Sequence, residues 1–497
     1  MNNKIIDNFC KNYFFLFTFF FLLIRFILIK LNFDEGTDFF KYFNVAININ
    51  NGCGVSNSIL EIEDCKKDFG PVSPPLYSIY LYIIKFVINF SLDKIIWVNL
   101  FLSYLANLYL LKIIKKFYSN KILFVLSILL IFDPLNIGWS RFLISENFHN
   151  SIFLIFISLI ITLMNKNKIN FYLLGFIFFL LTFTRLESFI FLFYLIPIFY
   201  SLKKEKYKIF ISFVFFILLW STWTIRNLYF ETEIIFPLKN LSKFIKYEKG
   251  HIYPSNFHDW SSTWVNNEYY RSNVLHNIQF DYQKKNPKQY NYENIYVPEN
   301  IYFNYAEKNK TKKLLNELKK YSGKPFSRDI DMQFKDLYEE RKKNIYNTIK
   351  VNFQRSLFLL LNPVSSYGLP LELNIENLNK FSNNDLTYYK NVILNNKKIF
   401  FGKIFLNLYK LSLVISFSII VFILIIKKKS KSIFCSFFEW TFIIFILKIF
   451  ILSFLNLLET RYIATNYISL QIFLIIFILE KKLYVFLNYK KCSFNRK

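Results

Sequence analysis

Long apolar runs separated by short lysine-rich turns fill both ends of this chain, and a polar stretch rich in asparagine and tyrosine lies between them. About twenty apolar residues in a helix match the hydrocarbon core of a bilayer. The first run, 13–31, meets that length, and Lys4 and Lys11 precede it, so it is expected to pass from the cytoplasm outward. Further spans are expected at 95–114, 122–138, 151–164, 171–184, 188–202 and 209–224, and three closing ones at 404–426, 433–454 and 463–479. One, six and three make about ten, and with that count every lysine cluster falls on one side: Lys112 to Lys121, Lys166 and Lys168, Lys203 to Lys208, Lys427 to Lys431, and the basic tail.

Two segments break the spanning rhythm. Residues 38–50 place Phe39, Tyr42, Phe43, Ala46 and Ile47 on one helical stripe, the pattern of a helix lying in the interface. Residues 71–89 are led by prolines, carry Lys85 and are short for a span. If they crossed, the basic loop 112–121 would face outward, so they are read as a second interfacial helix. From 227 to 400 the chain is too long and too aromatic for a linker. It is expected to be a soluble outer domain with a charged helix over 306–320 and an interfacial helix near 353–361. The organisation is therefore an N-terminal transmembrane module, 1–226, whose first outer loop is 32–92, then the outer domain, then C-terminal transmembrane helices with a basic cytoplasmic tail, 401–497.

Composition sharpens the class. The 497 residues are 54% hydrophobic and 21% aromatic, with 63 Phe and only 10 Gly, and mean hydropathy is +0.28. These values describe an all-α polytopic membrane protein. The formal charge of +28 sits in clusters between apolar runs, which argues against a nucleic-acid partner. No small-residue cleavage site follows the first run, so that run is expected to stay as an anchor. Of five cysteines, Cys53 and Cys65 alone share one short outer loop, where a disulfide between them is expected.

In this topology charged groups from five loops meet the outer face: Asp34, Glu35 and Asp38 in the first; Arg141 and Glu146 in WSRFLISEN; Arg185 and Glu187 in FTRLES; Arg226 in WTIRN; Glu459 and Arg461 in ETRY. Any one alone reads as an ordinary charge at a span end. Together they suit an anionic, lipid-linked substrate, because arginine forks match phosphate oxygens and a carboxylate can take a proton from an acceptor hydroxyl or amine.

The order of the pieces carries a resemblance. A first span, an outer loop of the form D…Y…A…G.G, then PPLY, a span ending before S-E, a TR.E turn, a W-T-I-R-N turn and a late E-x-R-Y turn resemble the polytopic GT-C glycosyltransferases. The chain is most similar to their family 39-like and aminoarabinose-transferase-like branch of bacterial inner membranes, over 13–240 and again over 404–480. The resemblance implies a polyprenyl-phosphate-linked sugar donor, inverting transfer at the periplasmic side to a lipid, glycan or protein acceptor, and a general-base Asp in the first outer loop. Asp38, with Tyr42 and Ala46 at the family spacing, fits that base, but the family's Asp-Glu pair stands here at Asp34-Glu35, which leaves Asp38 and Asp34 both open. Glu146 corresponds to the family's second acid. Arg185, Arg226 or Arg461 would hold the phosphate, with Tyr42, Arg141, Glu187 and Glu459 beside them. No metal cofactor is assured, since the family is mixed on a divalent metal and no histidine cluster supports one. The rival readings are a transporter or flippase of lipid-linked glycans and a glycan polymerase or ligase.

Overall fold

The computed structural model describes residues 11–34, 39–55, 74–165, 169–201, 206–229, 255–266, 292–295, 297–324, 327–361, 396–426, 433–457 and 461–480, with Tyr270, Val274 and Leu369 beside them. Among these residues the structure is helical without strands; Asp34 and Phe142 form one isolated bridge. In chain order the membrane-type elements are α1 (Tyr13–Asn32), α2 (Phe39–Asn50), α3 (Leu76–Tyr82), α4 (Leu92–Phe117), α5 (Asn120–Phe132), α6 (Ser145–Met164), α7 (Phe171–Thr184), α8 (Leu195–Ser201) and α9 (Lys206–Tyr229). A second helical unit holds α10 (Ser255–Ser262), α11 (Tyr305–Lys319), α12 (Arg328–Lys342) and α13 (Ile345–Leu361), after which come α14 (Lys397–Ile426), α15 (Ile433–Phe454) and α16 (Arg461–Leu479). Seven of these helices are long and apolar enough to cross a membrane, so the chain is a multi-pass helical membrane protein.

The stripe read in 38–50 is helix α2, with Phe39 and Ala46 buried. The proline-led piece is seven α-helical residues followed by a five-residue π turn, Ile83–Val87, about 18 Å in all and well short of a bilayer core. The charged stretch expected at 306–320 is α11.

Two expected spans differ from the reading. The run 122–138 is helical only to Phe132. Asp133 precedes Pro134, whose ring disfavours a helical residue before it, and its backbone turns out of the helix with φ −51 and ψ 105. The orphan carbonyls this exposes are taken by Arg25 of α1, which donates to Leu130 O at 3.0 Å and Ile131 O at 3.2 Å. The Asp133 carboxylate then accepts from Leu135 N (3.1 Å), Asn136 Nδ2 (2.5 Å) and Gln471 Nε2 (3.1 Å). Gln471 lies mid-way along α16, so α5 stops deep in the bundle and an irregular segment, including a 3-10 turn at Ile137–Arg141, climbs from there to α6. Irregular backbone at membrane depth survives only where protein groups satisfy it, and here they do. The second difference is 188–202, which begins as a 3-10 stretch, Leu186–Tyr194, before α8.

The second helical unit is built around Trp260, packed on Phe257 and Phe334. Asp331 receives Phe257 N at 3.0 Å and Asn256 Nδ2 at 2.9 Å, closing the start of α10. The buried Arg341 pairs with Glu307 at 2.5 Å and also reaches Ile301 O at 2.6 Å. Arg355 of α13 donates to the carbonyls of Ser262, Val265 and Ser453, and Ser356 Oγ lies 2.7 Å from Ser453 Oγ, which fastens the unit to the end of α15.

Helices α7 and α9 touch backbone to backbone at Gly175: a Cβ there would sit 2.4 Å from Ser212 O. Small residues allow such approach between membrane helices. Gly175→Ala should therefore lower thermal stability in detergent by about 1–3 kcal/mol, the overpacking cost exceeding the roughly 1 kcal/mol that alanine adds in helix propensity. A higher melting temperature in the variant would show that the two helices are not in this contact.

Candidate functional site

Helix α6 opens with Ser145 and Glu146, placing a carboxylate in the first turn, where the unpaired N–H groups and the helix dipole favour it. Glu146 is buried in the bundle, so it needs cations. It has two. Arg185, at the end of α7, brings Nη1 to 2.9 Å from Glu146 Oε1, and Arg461, the first residue of α16, brings Nη1 to 3.4 Å from the same oxygen. Arg185 in turn holds Glu187 Oε1 at 2.5 Å through Nε. The order Glu187, Arg185, Glu146, Arg461 alternates in sign, and the Tyr462 ring faces both guanidiniums at 4.8 and 5.5 Å.

The charges hold one another. Burial alone would pull the Arg185 pKa down, but the Glu187 and Glu146 carboxylates keep it above its ordinary value. Burial would likewise push Glu187 up, and Arg185 with Lys448 holds it below the usual carboxylate range. The second oxygen of Glu146, Oε2, is buried and has no hydrogen-bond partner among the described residues. A ligand hydroxyl or amine is the kind of group that would satisfy it.

Aromatic rings stand beside the pair. Tyr42 of α2 lies with its hydroxyl 3.0 Å from Ser145 Oγ and meets Tyr77 edge-on at 5.2 Å. Tyr77 stacks with Tyr80 at 5.8 Å, and Tyr80 with Phe148 at 4.7 Å. Thus α2 and the proline-led α3 pack on the first turns of α6. Beneath, His149 Nε2 lies 2.7 Å from Ser188 Oγ and Nδ1 3.3 Å from Thr465 Oγ1. Thr465 continues to Asn150 (2.9 Å), Asn150 to Asn136 (3.0 Å) and Asn136 to Asp133, so a buried polar chain runs from the ion network down to the end of α5.

The structure brings together Tyr42, Glu146, Arg185, Glu187 and Arg461 out of the residues expected from sequence. Arg141 is buried with its guanidinium 4.0 Å from the Phe142 ring, and its carbonyl accepts from the N–H of the exposed Asp34 at 3.2 Å. Arg226 is drawn elsewhere: it donates to Val55 O at 2.7 Å and covers Trp223 at 5.0 Å. Nearby in sequence, Cys53 is buried and disulfide-bonded. Its expected partner Cys65, and the expected site residues Glu35, Asp38 and Glu459, lie outside the described residues.

The sequence reading missed Lys448, His149 and Tyr462. Lys448 is buried in α15, 5.0 Å over the Phe191 ring, and its ammonium has no hydrogen-bond partner among the described residues. A lysine inside an apolar run is itself a signal, because the bilayer interior excludes charge without a reason. Among the described residues no group of three or more His, Cys, Asp or Glu side chains is placed to hold a metal ion.

Compared with known proteins, the chain matches no family model, no curated protein and no solved structure.

Removing the central cation should be costly. Arg185→Met leaves Glu146 and Glu187 buried with weaker compensation, and a loss of roughly 3–5 kcal/mol is expected for breaking such a pair from one side. The double variant Arg185→Met with Glu187→Gln should recover part of it. Thermal unfolding in detergent measures both, and an Arg185→Met melting curve equal to the wild type would contradict this network.

Proposed function

We propose that the chain is an integral-membrane glycosyltransferase of GT-C type, with about ten spans, that moves a sugar from a polyprenyl-phosphate donor to a lipid, glycan or protein acceptor at the outer face of a bacterial inner membrane. The observation that carries this reading is the buried Glu146 carboxylate. One of its oxygens is claimed by two arginines and the other has no hydrogen-bond partner among the described residues, at the end of the bundle where α2, α6, α7 and α16 meet. Arginines beside an open carboxylate suit a phosphate and a hydroxyl in one ligand. The role of base stays with Asp38 or Asp34 on sequence grounds. Arg461 and Arg185 are the phosphate partners this geometry favours, and Arg226, engaged at Val55, is the less favoured of the three.

A second reading, a transporter or flippase of lipid-linked glycans, has one specific observation behind it. Helix α5 is interrupted at Asp133 within the bundle, and interrupted helices are a habit of transporters. The two readings differ in what they need from the first outer loop. A transferase needs a proton acceptor there, whereas a transporter tolerates an amide that still offers hydrogen bonds.

Asp38→Asn should therefore insert and fold normally while lowering sugar transfer by a factor of about 10² to 10⁴, with Asp34→Asn doing less. Arg461→Ala should raise KM for the donor, because a phosphate partner acts in the ground state as well as in the transition state. Transfer from polyprenyl phosphate in reconstituted liposomes is the assay. Full activity in Asp38→Asn with loss in Asp34→Asn would move the base, and full activity in the double variant would remove this mechanism.

A further inference from the structure

Helix α13 carries two unlike faces. One is occupied: Asn347 donates to Thr263 O at 3.2 Å, Gln354 accepts from Asn266 at 3.1 Å, and Arg355 binds the carbonyls of Ser262 and Val265, so the second helical unit sits on this side. The other presents Ile345 (71% exposed), Tyr346 (76%), Ile349 (63%), Phe353 (57%) and Leu357 (40%), an apolar row with a repeat of four residues along the whole helix. A row of that size facing water would be a standing liability in a soluble unit.

We propose that this row is immersed in the lipid surface, so that α13 lies in the plane of the membrane and carries the second helical unit on its back. Continuity supports lipid as the occupant. The Ser356–Ser453 contact joins α13 to the last turn of α15, a helix long and apolar enough to span, whose own end exposes Phe450 and Phe454, so exposed apolar side chains stand on both helices where they join. From Ser356 back to Ile345 is about 16 Å of helix. If α13 stood upright on α15, its exposed apolar start would be held in water at that height; laid flat, all five side chains enter the acyl boundary at the shallow depth usual for such helices, roughly 5–10 Å. Charge agrees with this placement. Lys342, Lys343 and Lys350 are exposed around the row, where they can reach anionic headgroups with their stems along the apolar edge. The proposal depends neither on which leaflet is involved nor on the glycosyltransferase reading.

The test is a nitroxide scan of the full chain in vesicles of phosphatidylethanolamine and phosphatidylglycerol. It keeps the Cys53 disulfide, replaces the other thiols by serine, and places one labelled cysteine at a time at the exposed positions 345, 346, 349, 350, 353 and 357. Collision with oxygen, which partitions into lipid, should peak at Ile349→Cys and Phe353→Cys, while collision with a water-soluble nickel chelate should be lowest there and highest at Lys350→Cys. High nickel access at 349 and 353 would place the row in water and overturn the proposal. Low access to both reagents would show a protein partner, such as a second copy, and would overturn it equally. Each labelled position is exposed, so folding is expected to survive each change, and Lys350 provides the internal reference.

Discussion

A carboxylate buried in a membrane bundle has to be answered by positive charge, and Glu146 is that carboxylate here. Its demand fixes three chain segments at once: the first turn of α6, the end of α7 through Arg185, and the start of α16 through Arg461. Because Glu187 and Tyr462 are sequence neighbours of those arginines, the same requirement also positions the second acid and the ring that both guanidiniums face. The arrangement is expensive in desolvation and is a poor way to gain stability, since apolar side chains of similar volume would hold the helices together as well or better. Its cost is therefore the reason the proposal assigns it a binding role.

The interrupted α5 serves the same end of the molecule. Its last carbonyls are capped by Arg25 and the following turn by Asp133, and the polar chain from Asp133 through Asn136, Asn150 and Thr465 to His149 reaches Ser188 beside Glu187. Asn136 and Asn150 are amides, which do not relay protons, so the chain is a brace that holds α6, α16 and the 3-10 stretch in one register. Rigid support under a charged site keeps its side chains in place before a ligand arrives.

Much of the architecture was legible in the sequence because hydropathy reports directly on burial in lipid: α1, α2, the short α3, α11 and the spans at both ends are where the pattern places them. The candidate site was legible in part, since Glu146, Arg185, Glu187 and Arg461, which the fold brings together, lie at span ends, where a charge stands out against apolar neighbours. What stayed hidden has three physical causes. Hydropathy continues through Leu135 and Ile137, and this masked the stop that Asp133-Pro134 imposes on α5. Lys448 and His149 sit inside apolar runs, and their neighbours in space are distant in sequence. The pairing of Arg341 with Glu307 and the anchoring of Arg355 at Ser453 are also long-range, so no local pattern announces them.

The central claim is that the ion network lies at the non-cytoplasmic end of the bundle. The start of α4 lies at that end, through Asn99 beside Tyr77 and Asn147, while the end of α4 lies opposite, with Lys115 over the Tyr13 ring at 4.4 Å. The most direct measurement is labelling of Leu92→Cys and Tyr118→Cys in intact cells by a membrane-impermeant thiol reagent, above the background of the unaltered chain. The account predicts labelling at 92 and none at 118. Strong labelling at 118 with none at 92 would turn the bundle over, put Glu146 and its arginines in the cytoplasm, and contradict it.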